Sequence, residues 1–273
     1  MLNFIHKNII FFIAIISILL MITFFNFFFK QNDELSIFEN CNIDEVEFIP
    51  KNSTIVIGHA YGSPLNANKH SFISKKIELF LNKNKKNIKI VVFTGDIFWE
   101  PSMEKWNKLY NDYNKYFQIH IAPGNHEVDL LSKTDIFKMS KFKSDDYYKF
   151  NIFNKKFFFI ENSIINNWEL NPELIKYFNN NFSNDITLFR HNIPVKELVQ
   201  FANSKSLISK DLSSVKDLQK KLSKINNLTI ISGDSGAFKE LPRLTCHVYK
   251  NIKFITNGIG DIEKDKILII NNN

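Results

Sequence analysis

His59, Asp96, Asn125 with His126, His191 and Asp234 each follow closely on a run rich in β-branched or aromatic side chains. Carboxylate, amide oxygen and imidazole are donors that suit borderline divalent ions such as Mn, Fe or Zn. An imidazole beside such an ion can also move a proton. A single polar strand end is ordinary turn chemistry, because Gly-Asn favours turns and a lone His is more often a satisfied core or surface residue. Five such ends in sequence, each bearing a metal-competent side chain, point to a shared centre. Tyr61, two residues after His59, could join it only as a phenolate and is otherwise a packing or hydrogen-bonding residue.

The elements that must position these residues alternate between strand and helix. Thr54-Ile55-Val56-Ile57 reads as a buried strand stopped by Gly58, and Phe72, Ile73, Ile77, Phe80 and Leu81 recur at helical spacing after it. Ile88 to Phe93 is a second strand stopped by Thr94-Gly95-Asp96, and Ser102 caps a helix carrying Met103, Trp106, Leu109, Tyr110 and Tyr113. The run Phe117 to Ile121 then leads to Ala122-Pro123-Gly124-Asn125-His126-Glu127, read as a turn. A less regular stretch containing Tyr147-Tyr148 precedes the strand Phe157 to Ile160 and a helix over Pro172 to Phe178. Strands Ile186 to Arg190 and Leu228 to Ile231 deliver His191 and Asp234, with helices around Val195 to Phe201 and Leu212 to Leu222 between them. This alternation predicts a largely parallel α/β sheet covered on both faces, with ligands beyond the carboxyl ends of the strands. The consecutive runs Leu244 to Tyr249, Ile252 to Thr256 and Ile267 to Ile270 predict an antiparallel last part.

At 273 residues the chain holds one sizeable domain that needs neither metal nor disulfides to form a core. The net charge of +7 comes from interspersed lysines in a composition rich in Asn, Ile and Phe, and nothing resembles a nucleic-acid arm. Cys41 and Cys246 fit no metal spacing; they are either a pair or two free thiols. Ile9 to Phe29 is almost wholly apolar, long enough to cross a membrane as a helix, and lacks a small-residue cleavage site after it. Residues 1–30 therefore read as a cytoplasmic tail and uncleaved anchor, 31–52 as a polar acidic spacer, and 53–273 as the domain. A short tail before a single span usually stays inside, which places the domain on the extracytoplasmic side of a bacterial cytoplasmic membrane.

With these residues in view the chain resembles the calcineurin-like metallophosphoesterases over roughly Ile55 to Asp261. Gly95-Asp96 and Gly124-Asn125-His126-Glu127 match the family's GD and GNH[DE] motifs, and His191 its single-His motif. The resemblance implies a four-layer α-β-β-α sandwich and one or two divalent metals bridged by Asp96. It also implies Asn125 and His191 as ligands and His126 near the scissile oxygen. Two motifs depart from the family. D-x-H is replaced by His59-Ala60-Tyr61, and G-H-x-H by Gly233-Asp234-Ser235-Gly236. Asp96, Asn125, His191 and Asp234 then make a full set for one metal, while the other has His59 and Asp96 and no side chain from Gly236.

The expected activity is hydrolysis of a phosphate ester by in-line attack of metal-bound water, with His126 as acid. The altered motifs also fit a non-catalytic relative that binds a phosphorylated envelope glycan or lipid, or scaffolds an envelope complex. Loops around Ser63 to Lys69 and Lys133 to Tyr148 would select the substrate.

Overall fold

Near-continuous burial along β2 (Ser53–Ile57) and β3 (Ile88–Phe93), on both faces of the strands, shows that one sheet separates two cores. Ile55, Ile57, Val91 and Phe93 face one cluster, whereas Val56, Ile90 and Val92 face another. The first cluster includes Ile77 and Leu81 of the helix Lys75–Asn84 and Trp106 and Leu109 of the helix Met103–Tyr113. Ser102 caps the latter by accepting from the Lys105 N–H at 3.3 Å. The second cluster also holds Phe158, Ile160, Phe189, Ile231 and Ile255, which belong to a different sheet.

These observations come from a computed structural model, which describes residues 15–23, 38–43, 48–63, 65, 71–129, 147–152, 156–161, 169–181, 185–198, 213–235, 244–261 and 265–271. The remaining strands are β1 (Glu39–Asn40), β4 (Gln118–Ile121), β5 (Tyr147–Ile152), β6 (Lys156–Glu161), β7 (Ile186–Arg190), β8 (Leu228–Ser232), β9 (Leu244–Tyr249), β10 (Ile252–Asn257) and β11 (Leu268–Ile270). They form a four-stranded sheet in the order β11-β2-β3-β4 and a seven-stranded sheet in the order β1-β9-β10-β8-β7-β6-β5. The strand-helix alternation alone suggested one sheet; the two sheets of the sandwich that the family resemblance implied are present, stacked through the second cluster. Period-2 burial says which residues of a strand are covered but not which sheet covers them. Both sheets are parallel in the middle: β2, β3 and β4 run together, as do β6, β7, β8 and β10. The expected antiparallel pairing near the end is present, β9 against β10 and β11 against β2. Phe159, on the outer side of β6, meets Phe178 of the helix Pro172–Asn181 edge-on at 4.7 Å. Helices therefore cover the outer face of each sheet.

Three elements differ from the sequence reading, the first being β1, which falls within the stretch 31–52 read as a polar spacer. The stretch around Tyr147-Tyr148 is strand β5, paired with β6; its Tyr148 hydroxyl lies 3.1 Å from His120 Nδ1 and Phe150 stacks on the His120 ring at 4.0 Å. Its aromatic side chains are held by inter-sheet packing, which local alternation does not reveal. The turn Asn125–His126 is the start of a short helix, Asn125–Asp129. Of the helix expected over Val195 to Phe201, residues 199–201 lie outside the described residues, as do 133–146, most of 63–69, and Gly236.

The chain divides into two compact units, Met1–Glu39 and Asn40–Asn273. In the first, residues 15–23 are helical and exposed, and the rest of the apolar run Ile9 to Phe29 lies outside the described residues. Among the described residues no helix is long and apolar enough to cross a membrane.

Within the second unit Cys41 and Cys246 form a disulfide, with Cα atoms 5.1 Å apart. The Cys41 N–H also donates to the Cys246 carbonyl at 3.2 Å. The bridge spans 205 residues of sequence, so it removes much loop entropy from the unfolded chain, on the order of 5 kcal/mol in the chain-entropy account. Reduction, or the Cys41→Ser/Cys246→Ser double variant, is expected to lower unfolding free energy by about 2–5 kcal/mol. Thermal melts with and without reductant check this, and an unchanged Tm would contradict it.

Candidate metal centre

The carboxyl ends of the parallel strands from both sheets meet at one place, because two glycines let the backbones touch. A Cβ on Gly233, just past β8, would collide with Thr94 past β3; a Cβ on Gly58 would collide with Gly233 and the Asn257 carbonyl. Asn257, at the end of β10, crosses the same junction: its Nδ2 donates to the Val56 carbonyl at 2.9 Å and its Oδ1 lies 3.4 Å from Thr94 Oγ1. The sheets are thereby closed onto each other where the polar strand ends sit.

Asp96 is central and nearly fully buried. His191 Nε2 lies 3.6 Å from its Oδ1, and His59 Nε2 lies 3.1 Å from its Oδ2. His191 Nε2 is also 3.1 Å from Asn125 Oδ1 and 3.9 Å from Asp234 Oδ1. His126 approaches through its backbone N–H, which donates to Asp96 Oδ1 at 3.2 Å. Its ring is turned away from the carboxylate, with Nδ1 donating to the Trp99 carbonyl at 2.9 Å. That bond fixes the Nδ1–H tautomer and leaves Nε2 for proton transfer. The structure therefore brings together all the residues that the strand-end pattern singled out.

The backbone around them is unusual. His59 (φ 55°) and Asp96 (φ 54°) adopt the left-handed conformation, which non-glycine residues seldom occupy, and Gly95 (φ 87°) precedes Asp96. A side chain on Gly95 would strike His191, and one on Gly124 would strike Asp96. These glycines let the donors close in. The two loops support each other, since the His59 N–H donates to the Gly95 carbonyl at 3.1 Å. Each left-handed non-glycine residue costs on the order of 1–3 kcal/mol, so other interactions must hold the conformation.

Glu127 is one of those interactions, and sequence reasoning gave it no role beyond a motif letter. Its buried carboxylate accepts the backbone N–H groups of Asp96, Ile97 and Gly124, each at 2.8 Å. It thus ties the β3 loop to the β4 loop. Only the requirement for an acid at this motif position could have hinted at the role. Burial, reinforced by the Asp96 charge, pushes the Glu127 carboxyl up; the Gly124 and Ile97 N–H bonds oppose this.

The electrostatics favour a cation. Burial works against charge on Asp96, but His191, His59 and His126 outweigh it and hold the carboxyl below its usual range. Burial likewise disfavours the His191 imidazolium, and the Asp96 and Asp234 carboxylates with the Thr94 carbonyl, 2.9 Å from Nδ1, overcome it and raise its pKa. Asp234 is raised by burial and Asp96, against His191 and His59. Tyr61 is raised far above a free phenol, first by burial and then by Asp96, Asp234 and Glu127, so it stands here as a phenol.

Whether these residues fit a metal is decided by donor chemistry and spacing. Among the described residues no group of three His, Cys, Asp or Glu forms a ready-made cage. The set around His191 uses an amide as one donor; of its separations, 3.1 Å lies within a closed shell, and 3.6 and 3.9 Å are slightly wider. Bonds of about 2.0–2.2 Å meeting at tetrahedral or octahedral angles give edges of roughly 3.0–3.5 Å. Asp96, Asn125, His191 and Asp234 therefore fit a divalent ion after a contraction of a few tenths of an ångström. The imidazole already has its other nitrogen engaged by Thr94, as ligating histidines do.

A family model described as calcineurin-like phosphoesterase matches residues 66–233. No curated protein matches the chain.

Two outcomes follow from the geometry. Proton and metal compete for His191 Nε2, whose pKa is raised, so Mn(II) affinity should fall as pH is lowered through that pKa, about tenfold per unit for one displaced proton. Calorimetric titrations in buffers of different ionisation enthalpy measure the proton released; pH-independent binding would contradict the assignment. Glu127→Gln leaves at least one of three N–H groups facing an amide NH₂. It should cost about 1–3 kcal/mol of stability and roughly 10–100-fold in metal affinity, read by denaturant unfolding and by the same titration.

Proposed function

The chain belongs to the calcineurin-like phosphoesterases, and from that premise we propose that it is a metal-dependent phosphoric ester hydrolase working outside the cytoplasm, anchored to a membrane by its N-terminal apolar run. The observation that carries the hydrolase reading is the convergence of Asp96, Asn125, His191 and Asp234 where the two sheets close, with His126 at their edge.

A divalent cation bound there supplies Lewis acidity, which acidifies water and screens the charge of a phosphate. The chain's own residues do the rest. Asp96 and Asp234 would neutralise the cation, and Asn125 and His191 would complete its hold. The Thr94 carbonyl fixes the His191 ring through Nδ1. The Trp99 carbonyl fixes His126 in the same way, so that a proton on His126 Nε2 can pass to the departing ester oxygen. Glu127 keeps the two loops at the spacing this needs.

The disulfide between Cys41 and Cys246 supports the extracytoplasmic reading, because such bonds persist in oxidising compartments and are rare in the cytosol. The apolar run from Ile9 to Phe29, preceded by only a short tail, supports an anchor with the domain outside. A phosphorylated molecule near the membrane surface is the substrate class these positions favour.

A second reading has its own observation. His59 is bound to Asp96 and no ready-made metal cage exists among the described residues, as suits a protein that binds a phosphorylated glycan or lipid without turning it over. The assay that separates the two uses the full chain, loaded in turn with Mn, Fe and Zn, against an aryl phosphate. Hydrolysis is expected, with Asp96→Ala inert and His126→Ala slower by about 10²–10⁴-fold. If wild type and Asp96→Ala are equally inert with every metal while phosphate still binds, the non-catalytic reading stands in place of the hydrolase.

A further inference from the structure

We propose that the centre is built for a single divalent cation, held on the Oδ1 side of Asp96, with the Oδ2 side closed by the His59 imidazole. The proposal rests on the hydrolase reading only in taking the centre to be a metal site.

The two oxygens of Asp96 face different company. On the Oδ1 side stand His191 Nε2 at 3.6 Å, with Asn125 Oδ1 and Asp234 Oδ1 grouped about that nitrogen at 3.1 and 3.9 Å. That is a carboxylate pair, an amide and an imidazole, enough protein donors for one ion. Oδ2 has His59 Nε2 at 3.1 Å, and the same nitrogen lies 3.2 Å from the Tyr61 hydroxyl. The other imidazole nitrogen, Nδ1, is 3.4 Å from the Gly62 carbonyl. Both nitrogens of His59 are therefore engaged within the protein.

The His59 ring also has little room to change partners. His59 and Tyr61 are 1 % and 2 % exposed. Their rings lie 4.5 Å apart, and Tyr61 packs against both Trp99 and His126, at 5.4 and 5.1 Å. His59 is itself set by its left-handed backbone and its N–H bond to Gly95. A second ion on this side would find among the described residues one shared carboxylate oxygen, one imidazole and a phenol. It would bring two further charges, and Asp234, whose charge also reaches His59 and Tyr61, has its close contact with His191, at 3.9 Å. Three or four protein donors are the usual requirement, and this side offers two without a phenolate. The exchange of motif residues that leaves the number of carboxylates unchanged thus moves both of them to one ion.

Counting ions tests this without reference to turnover. The full chain is stripped with chelator, titrated calorimetrically with Mn(II), and examined by electron paramagnetic resonance. One equivalent and an uncoupled six-line Mn(II) signal are expected, with His191→Ala losing the high-affinity ion. Two equivalents with a spin-coupled spectrum, or no tight binding at all, overturns the proposal. His59→Asp/Tyr61→His, shown by circular dichroism to be folded, puts a second carboxylate and an imidazole beside Asp96 Oδ2 and is expected to bind two ions; retention of one would show that His59 and Tyr61 are not what closes the second position, and the proposal would fall. Aryl phosphate hydrolysis is assayed separately, so one bound ion without hydrolysis removes the hydrolase reading and leaves this inference standing.

Discussion

Everything at the centre depends on the contact of Gly58, Gly233 and Thr94, where the backbones of two different sheets come close enough to exclude any Cβ. Sheets stacked face to face lie about 10 Å apart, too far for side chains at the ends of β3 and β8 to share one ion. Bringing the carboxyl ends together overcomes that distance. The cost is a junction full of backbone groups that need partners. Asn257 meets part of it by bonding the Val56 carbonyl from the opposite sheet, and the Ile259 N–H meets more by donating to the Gly58 carbonyl at 3.1 Å. Replacing either glycine would separate the ligands before it altered any of them.

The second dependence is on Glu127. Two neighbouring loops carry Asp96 in a left-handed conformation and Gly124 without room for a side chain, and neither loop has internal reason to stay so. One buried carboxylate bonding to three N–H groups across both loops supplies that reason. A buried carboxylate is ordinarily expensive unless well hydrogen-bonded. Here its bonds are also what orients Asp96, so the stability of the loop and the chemistry of the site rest on the same atoms.

Most of the centre was legible because strand-end ligands follow from local pattern. Alternating β-branched runs mark the strands, and a polar residue just beyond each marks its carboxyl end; His59, Asp96, Asn125, His191 and Asp234 were all found this way and all meet. What could not be read were relations between segments far apart in sequence. The second sheet, which the family resemblance implied but local alternation did not reveal, the strand at Tyr147–Ile152, and the Trp99 carbonyl as partner of His126 are each set by packing across the fold. Cys41 and Cys246 were left open for the same reason: 205 residues separate them, and only the placement of residue 41 beside β9 brings the thiols together.

The exchange of residues at the two altered motifs is the point at which composition and geometry part. Counted as charges, a His at position 59 and an Asp at position 234 compensate for each other, and the centre keeps its balance. Placed in space they do not, because Asp234 joins His191 on one side of Asp96 while His59 occupies the other. Electrostatic interaction falls with distance and is strongest where water is excluded, so the position of a carboxylate in a buried centre matters as much as its presence. His59 then contributes to the site as the partner that holds Asp96 Oδ2 in place, and the ring of Tyr61 keeps His59 there.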